Sequence, residues 1–146
     1  MKRVYLLIPT DNQVQIDSLL ASSLETAKVY GVTSSFLPFT TETLPKITEE
    51  LSKGNGAVVM ENIALDFSNK TKDSSIVIVE GLSLENSPLI SRKLNEMLAL
   101  AFDASVLLVS SKELSLETEC LEKELQENRV RVIAKVTKNE VSQKLE

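Results

Sequence analysis

The sequence predicts an α/β domain, a parallel β-sheet with helices on both faces. Three observations carry this reading. Val4-Tyr5-Leu6-Leu7-Ile8, Ile76-Val77-Ile78-Val79 and Val106-Leu107-Leu108-Val109 are apolar runs without a charged break. Runs of this length between turn signals are strands buried on both faces. Stretches of helical periodicity lie between them, and strands alternating with helices build parallel sheets through helical crossovers.

Taken in order, Val4 to Ile8 is a central strand and Pro9-Thr10-Asp11-Asn12 a turn. A helix then runs to about Tyr30, with Ile16, Leu19, Leu20, Leu24 and Ala27 on one face. Asp11 or Asn12 caps its start and Gly31 follows its end. Val32 to Phe39 is a weaker strand; Pro38 cannot donate to a ladder, which predicts a sheet edge. Two helical stretches follow, roughly Glu42 to Lys53 and Ala57 to Asn69, separated by Gly54-Asn55-Gly56. In the second, Val59, Ile63 and Phe67 recur every fourth residue.

The run at Ile76 ends in Glu80-Gly81-Leu82, a carboxylate at a strand end followed by a glycine that lets the backbone turn away. Asn86-Ser87-Pro88 opens a helix to Phe102, with Ile90, Leu94, Met97, Leu98 and Ala101 towards the core. After the strand at Val106, Ser115 opens another helix, with Glu117 and Glu119 in its first turn, where they favour the dipole. The last strand, Arg129 to Val136, alternates: Val130, Val132, Ala134 and Val136 against Arg129, Arg131 and Lys135, with Ile133 breaking the pattern. One wet face and a row of cations suit an edge protected from pairing. The strands at Val4, Ile76 and Val106 are therefore central and the other two are edges. That excludes the order 3-2-1-4-5 and allows both 2-3-1-4-5 and 2-1-3-4-5.

At 146 residues, 42% hydrophobic and 25% charged, the chain has the composition of a single soluble globular domain, residues 1–146. A net charge of −5 argues against general nucleic-acid binding and against an anionic membrane surface. The sequence has no histidine, which removes imidazole acid–base catalysis and histidine metal sites. The one cysteine, Cys120, fits a reducing cytoplasm and reads as a small apolar residue on a helix. The apolar run at the start is too short for a signal peptide, and no stretch reaches transmembrane length. A cytoplasmic protein is expected.

The stretches Val59-Met60-Glu61-Asn62-Ile63, Asn69-Lys70-Thr71-Lys72-Asp73 and Val77-Ile78-Val79-Glu80-Gly81-Leu82 resemble the amino-terminal domain of bacterial phosphate acetyltransferases. Leu7-Ile8-Pro9-Thr10 is similar to that domain's first strand and turn. Leu94-Asn95, Ala104 to Ser110 and Val132-Ile133-Ala134-Lys135 continue the resemblance. The domain is itself similar to dethiobiotin synthetase, which implies a P-loop-like fold with strand order 2-3-1-4-5. In the family it precedes a catalytic domain that converts acetyl-CoA and phosphate to acetyl phosphate and CoA, and it contributes to allosteric response and assembly. Nothing in this sequence resembles the catalytic domain. The resemblance thus implies a non-catalytic regulatory or assembly domain, excised or free-standing. Its partner would be the remainder of an acetyltransferase chain or its oligomer.

The resemblance also places a nucleotide crevice at Thr10, Asp11, Asn12, Gln13, Glu80 and Gly81, and the residues there read as vestigial. A phosphate cradle needs glycines, a lysine and a hydroxyl. Pro9 to Ser18 has no glycine; by alignment with the family, Ile16 stands in the lysine's place and Asp17 in the hydroxyl's. Each missing charge-assisted contact is worth roughly 1.5–3 kcal/mol. Glu80 occupies the position that serves magnesium in nucleotide-binding relatives, but a lone carboxylate reads as hydrogen-bonded to loop amides or solvated. Lys135 keeps the family's lysine beside an alanine where asparagine is usual. The pairs Lys2-Arg3 and Arg92-Lys93 read as solvated faces. No cofactor, metal or catalytic residue is expected. The alternatives are a divergent ATP-dependent dethiobiotin-synthetase-like ligase, which needs the missing glycines and lysine, and a small-molecule sensor using the old crevice.

Overall fold

The structure, a computed structural model, describes residues 2–10, 24–25, 27–39, 42–83, 88–110 and 116–137. Five strands, β1 (Arg3–Pro9), β2 (Thr33–Phe36), β3 (Ile76–Glu80), β4 (Ser105–Ser110) and β5 (Arg131–Thr137), form one all-parallel sheet in the order 2-3-1-4-5. Four described helices cross between them: α1 (Leu44–Ser52), α2 (Gly56–Lys70), α3 (Pro88–Ala101) and α4 (Leu116–Glu127). The three apolar runs are the three inner strands, and β2 and β5 are the edges, as burial required.

The strand order dictates how the two faces are covered. Right-handed crossovers send connections that step one way along the sheet to one face, and those that step back to the other. Here β2→β3, β3→β4 and β4→β5 step one way; only β1→β2 steps back. Accordingly α1, α2, α3 and α4 all pack on the first face, against Val4, Leu6, Ile8, Val77, Val79, Val106 and Leu108. The second face carries Leu7, Ile76, Ile78, Leu107 and Val109, with Leu24 and Ala27 of the β1→β2 connection packed on it. The rest of the helix expected before Tyr30 lies outside the described residues.

The helices take the faces that their periodicities set. In α2 the buried residues are Val59, Ile63 and Phe67. Phe67 stacks on Phe102 with ring centres 4.2 Å apart and meets Phe36 edge-on at 5.2 Å, which ties α2, the end of α3 and β2 into one aromatic cluster. In α3, Leu94 and Leu98 are fully buried, as expected. Ala101, expected to face the core, is instead exposed; the buried arc of the helix runs through Ser91, Asn95, Leu98 and Phe102, to one side of it, and the chain turns away after Phe102. The turn is a Schellman closure: the Ala104 N–H donates to the Ala99 carbonyl and the Asp103 N–H to that of Leu100. Asp103 takes the left-handed conformation at φ 49°. The end of α4 repeats it, with Val130 N–H on Leu125, Arg129 N–H on Gln126, and Arg129 at φ 67°.

The last strand departs from its expected pattern. Val106 pairs with Val132 but Leu107 pairs with Ala134, so Ile133 is a bulge with no partner. The extra residue reverses the phase of everything after it. Ala134 packs on the second face rather than with Val132 on the first. Lys135 swings to the first face, where its Nζ lies 3.2 Å from the Glu122 carboxylate of α4, both side chains about three-quarters covered. The strand therefore has no single wet face: the cation at its carboxyl half is drawn under a helix.

Candidate functional site

In a parallel sheet of this kind, ligands bind beyond the carboxyl ends of the strands. The site residues singled out from sequence stand there, except Asp11, Asn12 and Gln13, which lie outside the described residues. Thr10 follows the end of β1. Its N–H donates to the Val109 carbonyl at 2.9 Å, and its hydroxyl lies 2.7 Å from the Ser110 hydroxyl and 3.3 Å from the same carbonyl. Ser110 is buried. This hydroxyl pair locks the ends of β1 and β4 together.

Glu80 pairs in register with Leu7 and is half-buried, engaged by neighbouring groups. Strand alternation puts it on the second face with Ile76 and Ile78, whereas Ser110 shares the first face with Val106 and Leu108. The structure therefore brings Thr10 and Ser110 together and sends the carboxylate to the other side of the sheet.

Gly81 is required here, but for a different reason from the one its position suggested. Its φ is not in the left-handed region; among the described glycines only Gly54 is. The constraint is proximity. The Gly81 N–H donates to the Leu7 carbonyl at 2.8 Å, and a Cβ on Gly81 would sit 2.8 Å from that same oxygen and 3.0 Å from Asn95 Oδ1. The chain thus leaves β3 by bonding across to β1, in a space too narrow for any side chain.

Asn95 completes the closure, and sequence reasoning missed it. It projects from α3, 1% exposed. Its Oδ1 accepts from the Leu82 N–H and its Nδ2 donates to the Leu82 carbonyl, both at 2.9 Å. The side-chain amide acts as one more residue of β-ladder for the loop after β3. The available signal was an amide beside the apolar stripe of Leu94 and Leu98, where an unpaired polar group would cost about 1–3 kcal/mol.

Lys135 does not approach this end as a free cation; it is paired with Glu122. Among the described residues, no three acidic or thiol side chains converge as a metal site, and no helix is long and apolar enough to cross a membrane. Chemically, the described part of this end is a set of polar groups bonded to one another. No family model matches the chain, and no curated protein matches it.

Proposed function

We propose that the chain is a non-catalytic regulatory or assembly domain of the kind that precedes the catalytic portion of bacterial phosphate acetyltransferases. Its partner is the remainder of such an enzyme or its oligomer. The observation that supports this reading best is a 2-3-1-4-5 sheet at whose carboxyl end the described polar groups bond to one another. The Thr10 and Ser110 hydroxyls bond to each other, and Asn95 and Gly81 fill the space beside β3. In sequence, the first glycine after Pro9 is Gly31, so no glycine-rich loop follows β1 to wrap a phosphate.

The test is calorimetric titration of the purified chain with magnesium-ATP and magnesium-GTP. We expect no saturable binding tighter than about 1 mM, roughly −4 kcal/mol. In parallel, the chain alone should form no acetyl-CoA from acetyl phosphate and CoA above a heat-killed control. Joined to a phosphate acetyltransferase catalytic portion, it should change that portion's oligomeric state or effector response. Saturable ATP binding would favour the ligase reading, and activity of the isolated chain would refute the assignment.

A further inference from the structure

The opposite end of the sheet holds a different kind of site. The amino ends of β1, β4 and β5 open a cleft of about 290 Å³, lined by Lys2, Arg3, Tyr5, Asp103, Ser105 and Arg131 among others. In sequence, Lys2-Arg3 reads as a solvated pair; folding brings it to Arg131 from the far end of the chain. Tyr5 pairs with Ser105 and Ser105 with Arg131, so the three stand side by side across neighbouring strands. Strand alternation puts Arg3 beside Tyr5 on that same side.

Two of the three cations are held in place. Lys2 Nζ donates to Thr71 Oγ1 at 2.9 Å and stands 5.2 Å from the Phe67 ring centre. Thr71 is itself buried and donates to the Phe67 carbonyl. Arg131 is fixed along one edge of its guanidinium: Nε donates to Ser105 Oγ at 2.9 Å and one terminal nitrogen to the Asp103 carbonyl at 3.1 Å. The other terminal nitrogen is 3.8 Å from the Asp103 carboxylate, a side chain 94% exposed. That leaves most of the outer edge of the fork open. Arg3 is exposed, and its side chain has no bond within the described residues. The Lys2 ammonium is thus turned to the first face, with Phe67, and the side of the cleft that Arg3, Tyr5, Ser105 and Arg131 share holds two guanidinium groups against one carboxylate, on a chain whose net charge is −5.

We propose that this cleft binds a small phosphate-type anion. Arg3 and Arg131 against the Asp103 carboxylate leave one net positive charge, which favours an anion, and a phosphate group is anionic at neutral pH. A guanidinium fork fits phosphate oxygens, and one already anchored loses little freedom on binding. The volume lies at the lower limit of small-molecule pockets, roughly 300 Å³, so the ligand is a phosphate with a small body or none. The proposal does not depend on the regulatory reading above.

The test is an NMR titration of the full chain at constant ionic strength, with inorganic phosphate and, separately, phenyl phosphate. We expect saturable shifts centred on the amides of Arg3, Tyr5, Ser105 and Arg131, at dissociation constants of about 10 mM or tighter. Arg3→Gln alone, which breaks no bond among the described residues, should weaken binding several-fold. Arg3→Gln with Arg131→Gln should weaken it at least about tenfold. Tighter binding of phenyl phosphate would identify a monoester as the ligand, and equal or tighter binding of inorganic phosphate would identify the free ion; either supports the site. Shifts that stay linear in concentration, that persist unchanged in Arg3→Gln, or that centre on Thr10 and Gly81 would overturn it.

Discussion

At the scale of single residues, three positions make distinct demands. Asn95 satisfies both backbone groups of Leu82 from a buried position. Asn95→Leu keeps the volume but leaves an N–H and a carbonyl unpaired, and should lower unfolding free energy by about 2–4 kcal/mol in urea titration. Gly81→Ala pushes a methyl against the Leu7 carbonyl oxygen. It should cost about 1–3 kcal/mol, the usual penalty for overpacking. Arg129 points the other way. It holds a left-handed conformation at the end of α4 that glycine takes without steric cost. Arg129→Gly should stabilise the chain by about 0.5–1 kcal/mol, the relief of left-handed strain exceeding the added chain entropy. A lower denaturation midpoint would show that the Arg129 side chain does more than fill a cap.

At the scale of the element, β5 shows what a strand's periodicity conceals. Val130, Val132, Ala134 and Val136 share one parity in sequence, which implies a single apolar face. The bulge at Ile133 breaks that parity in space, while pairing resumes at once with Ala134 on Leu107. Removing Ile133 therefore leaves every other residue opposite its present partner. Deletion of Ile133 should give a cooperatively folded chain within about 2 kcal/mol of the parent, an ordinary single-mutation cost. Deletion of Leu107 from β4, which has no spare residue, swings Leu108 and Val109 to the wrong faces and should abolish cooperative unfolding. Thermal melts of the two deletions separate these outcomes. The inner strands were legible because burial on both faces demands unbroken apolar runs, and α2 because its stripe of Val59, Ile63 and Phe67 has one period. The bulge was not, since one unpaired residue leaves the composition of a strand unchanged. Neither was the Asn95 clamp, whose partner is a backbone thirteen residues away. Periodicity also left two strand orders open, because β1, β3 and β4 are inner strands in both; the family resemblance singled out 2-3-1-4-5.

At the scale of the whole molecule, the described residues at the two ends of the sheet differ in charge and in how they bond to one another. If the loop after β1 is what denies nucleotide entry, then Asp11→Gly, Gln15→Gly and Ile16→Lys together should raise magnesium-ATP affinity by at least about tenfold, some 1.4 kcal/mol by calorimetry. No gain would place the obstruction at Asn95 and Gly81 as well. The strand order has a further consequence, for folding in time. Of the five strands, β1 leaves the ribosome before the others; it lies in the middle of the sheet and pairs with β3 and β4 on either side. The bond between Thr10 and Ser110 spans 100 residues of sequence. Until β4 has emerged, Leu6, Leu7 and Ile8 lack one of their two neighbouring strands, and the nascent chain carries an open apolar edge. Such distant pairings fold slowly. Ribosome-stalled chains ending before Ser105 should therefore be cut readily by protease within the first ten residues, with protection arriving in one step once β4 clears the exit tunnel.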